Sequence, residues 1–160
     1  DLRDKPGGEL RAATQVADLF IPKGPIVFID YRSGEDEIHE ADQNRVDLPL
    51  AVLVNGGSAS ASEIVAGAVK DTRAGTVIGT KTFGKGVVQS IFPLQNNAGL
   101  KLTTARYLTP KKHDINKKGI TPDVVVEIPE DVMPGTENYS EEKDTQLQKA
   151  ASILQEQINR

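Results

Sequence analysis

Apolar positions recur along this chain at two different periods, and the changes of period divide it into elements. Over residues 9–20, Leu10, Ala13, Val16, Ala17 and Phe20 fall at i, i+3, i+4 spacing and predict a helix. Pro22-Lys23-Gly24-Pro25 ends it. Residues 26–31 are a short run of β-formers, with Glu37-Ile38-His39 as the candidate return strand across a polar turn. Residues 48–54 are continuously apolar, as a strand covered on both faces of a parallel sheet would be. Asn55-Gly56-Gly57 breaks that run, and Ala61, Ile64, Val65, Ala68 and Val69 then line one stripe of a second helix. Thr76-Val77-Ile78 reads as a strand between glycines, and residues 87–94 and 99–108 as two more, joined by the turn Gln95-Asn96-Asn97-Ala98. Beyond a basic loop at 110–118, residues 124–128 predict a last strand. Residues 129–139 are linker-like, and 141–159 predict a helix with Leu147, Ala150, Ala151, Leu154 and Ile158 on one face. The alternation of strands and helices, followed by antiparallel-looking strands, makes the class α/β.

Composition narrows the chemistry. A length of 160 residues suits one domain, and 38% hydrophobic with 26% charged residues is ordinary for a globular chain. A net charge of −4 argues against a nucleic-acid partner. The absence of cysteine removes disulfides, thiol nucleophiles and cysteine-held metals. The two histidines, His39 and His113, lack a second histidine at ligand spacing, so neither a metal nor a cofactor is expected. No apolar run reaches the roughly 18 residues of a membrane span. The opening Asp1-Leu2-Arg3 reads as the end of a strand rather than a natural terminus, so a fragment of a longer chain is expected.

The candidate chemistry lies between Asn55 and Gln89. Ser58, Ser60 and Ser62 stand at the start of the second helix, where serine caps orphan amides. The same position, at the end of a strand with amides nearby, also suits a nucleophile, and from the residues alone both readings stand. The surrounding sequence is not G-x-S-x-G, and neither histidine lies in a context that suggests a triad. Residues 79–85 match the front of a phosphate-binding loop, but Gly86 stands where magnesium needs a hydroxyl and a strand follows instead of a helix. Lys85, between Gly84 and Gly86 with Phe83 and Val87 as apolar cover, is either a solvated turn lysine or a base. An apolar surrounding destabilises the ammonium and frees the amine to act as a base. A lysine-activated serine is a known alternative to the histidine triad.

Asn55-Gly56-Gly57-Ser58-Ala59-Ser60-Ala61-Ser62-Glu63-Ile64, Thr82-Phe83-Gly84-Lys85-Gly86 and Gln89 together resemble the carboxyl-terminal processing (tail-specific) serine protease family. The opening as far as Gly8, Leu102-Thr103-Thr104-Ala105-Arg106-Tyr107 and Gly119-Ile120-Thr121-Pro122-Asp123 extend the resemblance over about three quarters of the chain. Asp114-Ile115-Asn116-Lys117-Lys118-Gly119 is further similar to the branch that matures the photosystem II reaction-centre protein in cyanobacteria and plastids. The resemblance implies a Clp protease/crotonase-like core with a mixed sheet and flanking helices. Residues 1–128 would be protease core, and 129–160 linker and C-terminal helix. It implies Ser60 as nucleophile, Lys85 as base and Gln89 orienting the lysine, with a bend at Gly86 to bring Gln89 near. The amides of Ala61 and Gly7 would form the oxyanion hole, and Asp71 and Glu63 would support the site. It implies protein C-terminal tails as partners, an upstream PDZ domain that is missing here, and a periplasmic or thylakoid-lumen location. A ligand-binding module of the same fold, as in interphotoreceptor retinoid-binding protein, and a crotonase-like acyl-CoA enzyme are the rival expectations.

Overall fold

The computed structural model describes residues 1–159. Its elements run α1 (Leu10–Asp18), β1 (Gly24–Tyr31), β2 (Glu37–Ala41), β3 (Ala51–Val54), α2 (Ala61–Thr72), β4 (Thr76–Gly79), β5 (Val87–Pro93), β6 (Gly99–Leu108), β7 (Val124–Val125) and α3 (Thr145–Ile158). The parallel and antiparallel strands separate into two sheets. One is antiparallel in the order β2-β1-β6-β5, and the other is parallel in the order β3-β4-β7.

Helix α2 is the centre. Every residue from Ala61 to Val69 is buried, because α1, β1 and the β3–β4 pair cover it from different sides. Full burial of Ile64, Val65 and Val69 contributes about 1.5–3 kcal/mol each. Its small residues let neighbours come close. A Cβ at Gly67 would stand 3.0 Å from Thr109 Cγ2 and 3.2 Å from Ile120 Cδ1. The helix therefore cannot slide along its axis without a clash, which fixes the height of its N-terminus.

Several elements differ from the sequence reading. The first helix stops at Asp18 with Val16 of its expected face exposed, and β3 starts at Ala51, leaving Leu48 71% exposed. The last strand stops at Val125, after which the Val126 N–H bonds the Gly79 carbonyl and the chain leaves the sheet. Helix α3 begins only at Thr145 and buries Gln146 and Ala150, with Leu147 and Ile153 against Leu53 and Ile78. Ala151 is exposed and Ile158 is 70% exposed. A buried glutamine displaced the expected stripe, and an apolar count cannot anticipate that.

Tyr107 on β6 packs against the core and donates its N–H to the Gly86 carbonyl at 2.9 Å. Burial, and secondarily the neighbouring Tyr31, raises its phenol above the ordinary 10.0. The stability carried by the neutral phenol is present below that value and is lost as pH rises through the higher folded value. A phenolate absorbance titration should show Tyr107 ionising above pH 10, together with loss of the fold. Ionisation below 10 in the folded chain would refute this.

Candidate active site

The site grows from the end of β3. Asn55 turns the chain: its Oδ1 accepts the N–H groups of Gly57 and Asp4, both at 2.9 Å, and its own N–H goes to Ser58 Oγ at 2.9 Å. The three serines, equivalent in sequence, are then distinguished. Ser58 is fully buried and donates its hydroxyl to the Leu2 carbonyl at 2.7 Å. Ser62 is buried and donates to the Lys5 carbonyl at 2.9 Å. Neither caps α2. Both fasten it to the segment that precedes Pro6-Gly7-Gly8. Ser60 is the N-cap residue, half-buried, with φ 56° and ψ −115°. That backbone region costs a residue with a Cβ on the order of 1–3 kcal/mol and is held only where the surroundings impose it. The strained strand–turn–helix of a nucleophile elbow is thus present without its glycine signature.

Two amides open beside Ser60. The N–H groups of Ser62, Glu63 and Ile64 are taken by the carbonyls of Ala59 and Ser60. The Ala61 N–H, like that of Gly7, has no protein acceptor among the described residues. Gly7, at φ 127°, lies so close that an added Cβ would stand 3.0 Å from Ser60 Cβ and 3.5 Å from its Oγ. An apolar hollow of about 190 Å³ adjoins this point, walled by Leu2, Gly7, Ala13, Val16, Ala61 and Val65.

Glu63 organises the rest. It is fully buried, and its Oε1 accepts from Thr82 Oγ1 at 2.5 Å and the Gly84 N–H at 2.7 Å. Oε2 accepts the N–H groups of Ser60 at 2.9 Å and Lys85 at 2.8 Å. Two amides on one oxygen are under about 6 Å apart, so this carboxylate holds the serine turn and the lysine loop together. The family resemblance gave Glu63 only a supporting place at the site. The signal that carried more was Thr82 and the glycines downstream, which together make a donor set.

The glycines around Lys85 serve backbone packing. A Cβ on Gly84 would lie 2.8 Å from the Gly119 N, and one on Gly86 2.6 Å from the Asn116 N. The expected apolar cover is not there: Phe83 is 66% exposed and Lys85 is exposed, because this loop faces outward once its backbone is bonded to Glu63 and Ser58. Gln89 is also exposed on β5, and no hydrogen bond joins the side chains of Ser60, Lys85 and Gln89 among the described residues. Between Val88 and Gln89 the register against β6 shifts, the partners jumping from Ala105 to Thr103. Thr104 is left as the extra residue of a β-bulge.

Asp71 sits at the other end of α2, eleven residues from Ser60 and so roughly 16 Å along the axis. It accepts the Lys111 N–H at 2.9 Å and faces His113 at 3.5 Å, while His39 pairs with Glu37. Its links to the site run along α2 and through the loop it binds at Lys111, whose later residue Lys117 donates its N–H to the Gly84 carbonyl at 2.8 Å. Among the described residues no group of three or more acidic or histidine side chains is arranged to hold a metal, and no helix is long and apolar enough to cross a membrane.

A strained serine at a strand–helix turn, two open amides and a lysine loop tied to the same carboxylate thus lie together on an α/β core. Comparison with known proteins resolves the class. Residues 1–126 match the profile of Peptidase family S41, and the chain belongs to that family. A carboxyl-terminal-processing protease of Synechocystis is 51% identical over 130 residues, covering 81% of this chain and 30% of that protein. The chloroplastic carboxyl-terminal-processing peptidase 2 of Arabidopsis thaliana is 47% identical over 126 residues, 77% of this chain and 24% of that protein. The solved photosystem II D1 C-terminal processing protease superposes with a TM-score of 0.76 at 44% identity, over 83% of this chain and 35% of that one. The core is of the Clp protease/crotonase-like α/β kind, and the chain spans under two fifths of the length of these relatives.

Proposed function

We propose that this chain carries the chemical centre of a serine endopeptidase that cleaves protein substrates near their C-termini. The reading rests above all on Glu63, whose Oε2 binds the amides of both Ser60 and Lys85. Ser60 is the nucleophile and Lys85, in its neutral form, takes the hydroxyl proton. The amides of Gly7 and Ala61 hold the oxyanion of the tetrahedral intermediate. Collapse expels the leaving amine, which takes the proton from Lys85, and leaves an acyl-Ser60. Water deprotonated by Lys85 then releases the acyl group. Gln89 on β5, just past the register shift opposite Thr104 of β6, orients the lysine amine, and Asp71 steadies the far end of α2. Residues 1–128 form the protease core and 129–160 the linker and C-terminal helix.

Because Lys85 stands exposed here, the water exclusion that a neutral lysine needs comes from bound substrate and from parts of the longer protein. The same proposal includes an upstream PDZ domain receiving the substrate tail and a thylakoid-lumen or periplasmic setting; for the setting, the support is that relatives are chloroplastic. The test is labelling by a fluorophosphonate, with the site mapped by mass spectrometry. Adduct on Ser60 in the full-length protein, forming at least about tenfold faster than in residues 1–160 alone, supports it. Adduct on Ser58 or Ser62, or none, refutes it. One observation favours a non-catalytic peptide-binding module: Lys85 and Gln89 make no side-chain hydrogen bond to Ser60. Peptide binding without any Ser60 adduct would decide for that reading.

A further inference from the structure

The segment that presents Gly7 is anchored at its base by a buried ion cluster from the far end of the chain. The side chain of Arg3 is 2% exposed and that of Asp144 is 0% exposed, and they meet at 2.7 Å, Nη1 to Oδ2. The same Nη1 donates to Gln146 Oε1 at 3.1 Å, and Nη2 pairs with Asp1 at 2.7 Å. Asp144 also caps α3, its Oδ1 accepting the N–H groups of Gln146 and Leu147 at 3.1 and 3.0 Å. Gln146 Nε2 donates to the Val126 carbonyl at 2.8 Å, just past β7. One guanidinium thus binds the opening segment, the cap of α3 and, through Gln146, the end of the parallel sheet.

From Arg3 to Gly7 is only four residues, and the chain is already fixed to the serine turn just before that stretch, at Leu2, and within it, at Lys5. Leu2 O accepts from Ser58 Oγ, and Lys5 O accepts from the Ala59 N–H and Ser62 Oγ. The segment is a short strut with the cluster at one end and the Gly7 amide at the other. A slip of one residue would move that amide about 3.3 Å, more than an oxyanion donor tolerates. At that end the strut runs close against the serine turn, with Ser60 Cβ 3.0 Å from where a Gly7 Cβ would be.

We propose that Arg3, Asp144 and Gln146 are positioning residues for the Gly7 amide, so that α3, which lies beyond the 126 residues matched by the peptidase family, sets the depth of the oxyanion hole. The inference rests on the Ser60–Lys85 reading above. Apolar side chains of similar volume pack a core as well as a buried ion pair does. A planar guanidinium forked on the Asp1 carboxylate, with Nη1 donating to the Gln146 amide oxygen, adds a fixed direction and depth, which is what a strut requires; its contact with Asp144 Oδ2 adds charge pairing without hydrogen-bond geometry.

The experiment uses the full-length protein carrying Arg3→Lys, Asp144→Leu, or Arg3→Met with Asp144→Leu. It reads kcat and KM on a peptide, the fluorophosphonate rate at Ser60, and Tm. Arg3→Lys keeps the charge and loses the fork, so it should keep a folded protein while kcat and the labelling rate fall about 100-fold with KM nearly unchanged. The double apolar variant should recover the Tm lost in Asp144→Leu without recovering the labelling rate. Labelling that returns together with Tm, or an Arg3→Lys protein with wild-type kcat, overturns the proposal and leaves a merely structural cluster. A wild-type protein that takes no label at Ser60 overturns the Ser60–Lys85 reading and this inference with it.

Discussion

Lys85→Ala in the full-length protein should lower peptide turnover by about 10⁴-fold or more while leaving the thermal midpoint within a degree or two of wild type. The large effect follows from chemistry, since without a base the Ser60 hydroxyl is a poor nucleophile. The small effect on folding follows from structure. Lys85 is exposed, and what the fold uses at this position is its backbone N–H, bonded to Glu63 Oε2 at 2.8 Å and retained by alanine. Turnover retained by the alanine variant would remove the lysine from the mechanism.

Glu63→Ala should do the reverse, damaging fold and function together. Its carboxylate accepts four hydrogen bonds, from Thr82 Oγ1 and the amides of Ser60, Gly84 and Lys85, in a fully buried position. Each donor left unpaired costs about 1–3 kcal/mol, so the total destabilisation should exceed 4 kcal/mol. Glu63→Gln preserves the volume but turns an amide NH₂ toward two donors, so it should retain part of the fold and lose most of the labelling at Ser60. Denaturant unfolding of both variants beside the labelling rate provides the measurement. A Glu63→Gln protein that labels at the wild-type rate would show that the carboxylate is not what aligns the two loops.

The contrast between these residues explains what could be read from the chain alone. Helices α1 and α2, the β1–β2 hairpin and the β5–β6 pair follow from periodicity, because each buries a face whose spacing its own backbone dictates. The lysine loop and the serine turn were visible as glycine-rich breaks. The partners of polar groups were not visible. Ser58 and Ser62 looked like caps because capping is the local option, and their actual acceptors, Leu2 and Lys5, lie more than fifty residues away. The face of α3 was misjudged for the same reason, since Gln146 is buried only because Arg3 reaches it across 143 residues. The bulge opposite Gln89 leaves no mark on either strand that alternation detects. Apolar burial is written locally, whereas satisfaction of buried polar groups is a property of the folded whole.

The interlock of Gly84 and Gly86 with the backbone of Asn116 to Gly119 has one more consequence. Main chain rests on main chain there, and the side chains of Lys117 and Lys118 point into solvent. Under the function proposed above, the rim beside Lys85 can therefore drift in charge and reach over generations without disturbing the loop that carries the lysine. In such an arrangement substrate choice and bond cleavage are separately evolvable, the one written in replaceable side chains and the other in a scaffold that has room only for glycine.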